Sequence, residues 1–201
     1  MAADLVEETS MPAEIQRDFA DSVHNFGRLV HGIAADQWGN DTPCSDWDVR
    51  TLVNHLVNEA LWVKPLLDGM TIAEVGDRFD GDVLGDDPVA AFDRAAAEAV
   101  SAAGEPGATE RIVHISSGDT PAAEYLGQVF ADFVVHGWDL ARGIGADDTI
   151  DPVHAASIYE EMKPMEDEMK TWGVYGGKIE VADGADVQTS LLALFGRVQE
   201  R

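Results

Sequence analysis

The feature that most constrains this chain is a stretch from Thr120 to about Arg142 in which apolar residues return every three or four positions. Leu126, Val129, Phe130, Phe133 and Leu140 fall on one side of it, the spacing of an α-helix with one buried face. Thr120-Pro121 reads as the helix start, with proline at the first helical position, and Gly143 and Gly145 as its stop. The same period recurs from Met11 to Gly32 (Ile15, Phe19, Val23, Phe26, Leu29, Val30, then Ile33) and from about Trp47 to Leu66 or beyond (Val49, Leu52, Val53, Leu56, Ala60, Val63, Leu67). Ser45 and Asp48 make an S-x-x-D capping box before the second run, and Pro65 should kink or end it. Pro88 to Ala103 is alanine-rich and helical, closed by Gly104, Pro106 and Gly107. Asp151-Pro152 opens a helix that reaches about Trp172, and Asp186 to Phe195 is a short last one. Residues 68–88 are loop. Short strands are expected near 110–116 and 178–182. Four long helices predict an all-α bundle as a single domain over residues 11–201, behind a flexible acidic leader of residues 1–10.

Charge removes several function classes. The formal net charge is −25 and the pI about 4.2. A surface that acidic repels phosphates, which argues against nucleic-acid and anionic-membrane partners. No run of about 18 apolar residues suggests a transmembrane helix, and the N-terminus lacks the apolar core of a secretory signal. One cysteine, Cys44, excludes an intrachain disulfide and fits a reducing cytoplasm. Oligomeric state is not fixed by these features, and a homodimer stays open.

Two polar rows run beside the apolar faces. Asp132 and His136 are four residues apart, so about 40° separates them around a helix. They sit at the edge of the buried face, with Tyr125 above and Asp139 below. A carboxylate and an imidazole in that relation can serve one cation. On the second helix His55 and Glu59 repeat the spacing, with Trp62 just beyond. If the two helices are neighbours, His55 joins Asp132 and His136 as two imidazoles and one carboxylate, a set suited to Zn, Ni, Fe or Mn in the divalent state. Glu59 is then a supporting or additional ligand, or a base. Against this, an isolated D-x3-H pair is commonly no more than a surface salt link.

Other residues have plainer readings. Cys44 precedes a helix, where a thiol pKa falls, yet a lone cysteine is usually a packing residue. His24 and His31 read as surface or cap residues and His154 as exposed; His114 reaches a site only if its strand folds over the helix ends. Trp38, Trp47, Trp62 and Trp138 read as packing, with Trp62 and Tyr125 the candidates for a substrate wall. Asp139 either pairs with Arg142, three residues on, or orients His136.

The runs TPCSDWDVRTLVNHLV and ADFVVHGWDLARGIG, with the tail IEVADGADVQTSLLALFGR, resemble the DinB-like superfamily. They are most similar to its actinobacterial branch, which includes the metal-binding domain of mycothiol-dependent maleylpyruvate isomerase. The resemblance covers roughly Met11 to Arg197. It implies an antiparallel four-helix bundle with a divalent metal, zinc or nickel foremost. It also implies that His55 is one ligand and that Asp132 and His136, in the place of an x-x3-H pair, are the others. Some members bind a low-molecular-weight thiol as thiolate and act on an electrophile. The isomerase carries a further C-terminal domain that completes its active site. Only Gly173 to Arg201 follow the last long helix here, so a mycothiol-type thiol S-transferase is the leading expectation. A non-catalytic metal-dependent binding or stress-response role is the second, and a metal-dependent hydrolase with Glu59 as base is the third.

Overall fold

The computed structural model describes residues 11–166 and 179–199. It consists of α1 (Met11–Gly32), α2 (Val49–Leu67), α3 (Ile72–Val75), α4 (Pro88–Ala103), α5 (Ala122–Ile144), α6 (Pro152–Met162) and α7 (Val187–Leu194), with one antiparallel hairpin of β1 (Ile112–Ile115) and β2 (Gly118–Pro121). The all-α class with short strands holds. Among the described residues no helix is long and apolar enough to cross a membrane. The chain divides into two compact units, Met1–Gly27 with Asn54–Phe130 and Arg28–Val53 with Ala131–Arg201. The divisions fall within α1, α2 and α5.

In the first unit the alanine-rich face of α4 allows close approach. Ala91, Ala95, Ala99, Ala102 and Ala103 are buried, and Phe92 lies 5.6 Å from Phe26 of α1. Gly27 makes room for that ring, since a Cβ there would stand 2.9 Å from Phe92 Cε1. Asp87 caps α4 by accepting from Ala90 N–H at 3.1 Å, with Pro88 at the first turn, both as local propensity dictates. Leu56, Val57, Ala60, Val63 and Leu66 of α2 are buried. A second row on α2 holds the following loop: Asn54 donates to Gly81 O (3.0 Å) and accepts from Val83 N–H (2.9 Å), and Asn58 donates to Phe79 O (2.6 Å).

In the second unit the connection between α1 and α2 is bolted to the end of α5. Gln37 donates to Ile144 O and Asn40 to Gly143 O, both at 2.9 Å. The turn closes on itself through an Asp41–Asp48 bridge and a 2.8 Å bond from Thr42 Oγ1 to Trp47 O. Gly143 is required at this seam. A Cβ there would meet Val49 Cγ2 at 3.0 Å, Thr42 Cγ2 at 3.2 Å and Asp41 O at 3.3 Å. Leu191, Leu192, Ala193 and Leu194 of α7 and Ala155 and Ile158 of α6 are buried. Gln188 straps the segment before α6, donating to Asp148 O (3.0 Å) and accepting from Ile150 N–H (2.9 Å).

Several expected boundaries move, each for a local reason. Thr120 and Pro121 belong to β2, not to α5: Pro121 pairs with Ile112, and Ala122 N–H still bonds Arg111 O at 2.9 Å. Asp48, not Ser45, caps α2, accepting from Thr51 N–H at 2.8 Å; Trp47 N–H is held by Cys44 O in the preceding turn. α2 passes Pro65 and stops at Leu67, and α5 runs through Gly143 to Ile144. α6 gives way after Met162 to a single 3-10 turn, Lys163–Met165, because Pro164 has no N–H to donate. Its expected reach to Trp172 lies outside the described residues, as does the leader of residues 1–10. The strand expected near 178–182 is absent over 179–182, where the chain is irregular and Ile179 N–H bonds Ala193 O of α7 at 2.9 Å.

Filling the Gly143 seam is overpacking against backbone and β-branched side chains, which typically costs about 1–3 kcal/mol. Gly143→Ala should lower the unfolding free energy by that amount, read as a lower urea midpoint with an unchanged denaturant slope; an unaltered midpoint would show that the seam is slack.

Candidate metal centre

The second half of α5 carries three polar side chains into the second unit. Asp132, His136 and Asp139 follow at spacings of four and three, so they share one side of the helix. His136 is 5% exposed and Asp139 0%. His136 Nδ1 lies 2.9 Å from Asp139 Oδ2, and its Nε2 lies 3.5 Å from Asp132 Oδ1. An ionised carboxylate only accepts hydrogen bonds, so the ring donates through Nδ1 and presents Nε2 on the Asp132 side. The Trp47 ring packs against the imidazole, centroids 5.3 Å apart and planes inclined by 35°.

Asp139 is held from its other side by Arg197, which is 7% exposed. Arg197 Nη2 donates to Oδ2 at 2.8 Å, its Nε lies 3.4 Å from Oδ1, and Nη1 donates to Phe195 O at 2.7 Å. Burial alone would push the Asp139 carboxyl up. The hydrogen bonds from His136 and Arg197, and the charge of Arg197, outweigh that and hold it below the usual aspartate value. Desolvation opposes the charge of Arg197 in the same way, and the Asp139 carboxylate prevails and raises its pKa. Of the two pairings open for Asp139, the structure takes the one with His136. Arg142 goes elsewhere, 3.3 Å from Asp148 and over the Trp138 ring at 5.7 Å. Spacing rules did not reveal Arg197 as the partner of Asp139 or Trp47 as the ring against His136. Arg197 is 58 residues from Asp139, beyond any helical repeat.

Cys44 stands at the edge of this network. One atom each of Cys44, His136 and Asp139 lie within 4.8 Å of one another. Both Asp139 oxygens are already engaged, so this is a hydrogen-bonded cluster with a thiol beside it. Burial pushes the Cys44 thiol up, with Arg197 opposing and Asp139, Asp46 and Asp132 adding to the rise. The thiol is neutral near pH 7, the opposite of what its place before a helix suggested.

Of the remaining candidates, His55, Glu59, Trp62 and Tyr125 lie in the first unit. His55 and Glu59 are half-buried on successive turns of α2. Tyr125 is buried and its hydroxyl has no hydrogen-bond partner among the described residues; burial first, then the Glu59 charge, push its pKa up. The Trp62 ring meets Phe79 edge-on at 5.6 Å, so it packs the 79–84 loop against α2. His24 and His31 are exposed, His154 is half-buried rather than exposed, and His114 pairs with Asp119 across the hairpin at 2.7 Å.

A tetrahedral zinc with bonds of roughly 2.0–2.2 Å places neighbouring donors about 3.4 Å apart. The 3.5 Å between Asp132 Oδ1 and His136 Nε2 fits that spacing without rearrangement. A family model described as the mycothiol maleylpyruvate isomerase N-terminal domain matches residues 19–141. The chain belongs to this family. The helical architecture is accordingly the DinB-like one, and the matched stretch contains His55, Asp132 and His136 but not Arg197. Two uncharacterized proteins of Mycobacterium tuberculosis, from strains CDC 1551 and H37Rv, are each 32% identical to the chain over 131 residues. That match covers 63% of this chain and 65% of each relative, just short of two thirds of their length. No solved structure matches the chain.

Asp139 is a buried charge satisfied by a partner, and removing one member of such a pair typically costs about 3–5 kcal/mol. Asp139→Ala should be destabilised by that order at neutral pH. The native pKa of Asp139 lies below its unfolded value, so its contribution is complete above the unfolded value and is lost as pH falls through the native one. The stability gap between wild type and variant, measured by urea denaturation, should therefore close on acidification toward pH 3.

Proposed function

We propose that the chain is a metal-dependent S-transferase that joins a low-molecular-weight thiol of the mycothiol type to an electrophilic small molecule. His55, Asp132 and His136 are the proposed ligands, with zinc or nickel as the divalent ion and iron or manganese as alternatives. Two imidazole nitrogens and one carboxylate oxygen are a suitable donor set for such ions. They leave coordination positions free for substrate. The single observation that carries the reading is the buried His136, aimed by Asp139 so that Nε2 and Asp132 Oδ1 stand at a cation's donor spacing. Membership of a family whose description names mycothiol supports the choice of thiol.

A bound divalent cation lowers the pKa of a coordinated thiol into the neutral range, where the nucleophilic thiolate predominates. The chain's own residues do the rest. Asp132 supplies negative charge and His55 and His136 neutral lone pairs. Asp139 keeps the His136 proton on Nδ1, and Trp47 packs against the ring. Glu59, one turn after His55, is the proposed acceptor of the thiol proton. Tyr125 and Trp62 are proposed on the substrate side; the unpartnered Tyr125 hydroxyl is a donor available to an oxygen of the electrophile. The reading places the protein in the cytoplasm, where such thiols stay reduced.

Purified protein should carry about one divalent ion per chain by elemental analysis, and His136→Ala should lose it. With mycothiol and monochlorobimane the wild type should form the thioether adduct and the variant should not. Metal present without turnover across thiols and electrophiles would instead favour a binding role. Ester or amide cleavage without thiol would favour a hydrolase. Alkylation of Cys44 by iodoacetamide should accelerate through and beyond pH 9, as a raised thiol pKa requires; a rate already saturated at pH 7 would make Cys44 itself the nucleophile.

A further inference from the structure

We propose that Arg197 is a positioning residue for the candidate metal centre: acting through Asp139, it holds His136 in the tautomer and orientation that leave Nε2 free for a cation. The use of that nitrogen rests on the metal reading above; the hold on the ring does not.

Asp139 touches both groups. Its Oδ2 accepts from Arg197 Nη2 at 2.8 Å and from His136 Nδ1 at 2.9 Å, while Oδ1 faces Arg197 Nε at 3.4 Å. A guanidinium gripping both oxygens fixes the carboxylate plane, which a lysine ammonium cannot do equally. With that plane fixed, the Asp139 oxygen that meets Nδ1 has a set direction, and the ring follows it. Arg197 is itself aimed by the end of α7. Gly196 takes φ +75, Gly196 N–H bonds Ala193 O at 3.1 Å and Arg197 N–H bonds Leu192 O at 2.8 Å. This is the Schellman pattern, in which glycine adopts the left-handed conformation. It turns the chain so that the next side chain enters the interior, where Nη1 also takes Phe195 O. The anchor thus comes from a segment beyond the stretch that the family model matches, residues 19–141.

Arg197→Met and Arg197→Lys test this in the full-length protein. The readouts are the ring nitrogen shifts of His136 by NMR on the metal-free protein and the zinc dissociation constant by chelator competition. Wild type should show a proton on Nδ1. Arg197→Met should give mixed tautomers and bind zinc about 10–100-fold more weakly, the usual effect of losing a partner that orients a ligand. Arg197→Lys, which restores charge without the fork, should fall between the two; if the methionine variant does not fold, the lysine variant decides. Unchanged ring shifts and unchanged zinc affinity in a folded variant would overturn the proposal. If wild type takes up no zinc, the metal reading falls, and the ring shifts alone decide the role of Arg197.

Discussion

A carboxylate with no exposure to solvent sets the terms for the second unit. An isolated buried charge is prohibitively costly, so Asp139 can exist there only with donors around it. The chain supplies two: a guanidinium from the segment after α7 and an imidazole one turn back along α5. Each is committed in consequence. Arg197 must be drawn inside, which requires α7 to end in a glycine turn. His136 must give its Nδ1 proton to Asp139, which leaves Nε2 on the side of Asp132. A single buried charge therefore ties the C-terminal segment to the orientation of a ring on α5.

Where one stretch of sequence holds all the determinants, local propensity and the structure agree. α4 begins and ends where Pro88 and Gly104 say it should, because first-turn proline, alanine run and glycine stop are adjacent. The Asp132–His136 pair was legible because four residues make a helical neighbour. Thr120-Pro121 points to a helix start yet closes a strand, because a proline in either place looks alike locally. The choice is made by Ile112 and Arg111 across the hairpin. Asp139 had a plausible partner three residues away in Arg142, but that guanidinium lies over Trp138 and beside Asp148. The actual partner is fixed by tertiary folding and obeys no periodicity. His55, Glu59, Trp62 and Tyr125 were recognisable as a flank of the apolar faces; the loop that Asn54 and Asn58 hold beside Trp62 was not, since side-chain bonds to loop carbonyls leave no repeat to detect.

Two buried polar atoms among the described residues lack a partner, the Tyr125 hydroxyl and the Trp138 indole nitrogen. An unsatisfied buried group commonly costs about 1–3 kcal/mol. Around Asp139 the opposite holds, with each oxygen engaged. Polar satisfaction is complete where a charge must be fixed and incomplete at Tyr125, where the neighbouring charge is Glu59. A hydroxyl kept neutral by burial and left without an acceptor is well suited to donate to an incoming ligand.

The chemistry of the single cysteine bears on which thiol could react. Cys44 lies beside a cation, an arrangement that ordinarily favours thiolate. Here the Arg197 charge is already matched by Asp139, and Asp46 and Asp132 add further negative charge, so burial dominates and the thiol stays protonated. The surroundings that quiet Cys44 thus hold His136 in a geometry fit for a cation. On the proposed reading the nucleophile would therefore be a thiol brought in from solution, not the protonated sulfur of Cys44.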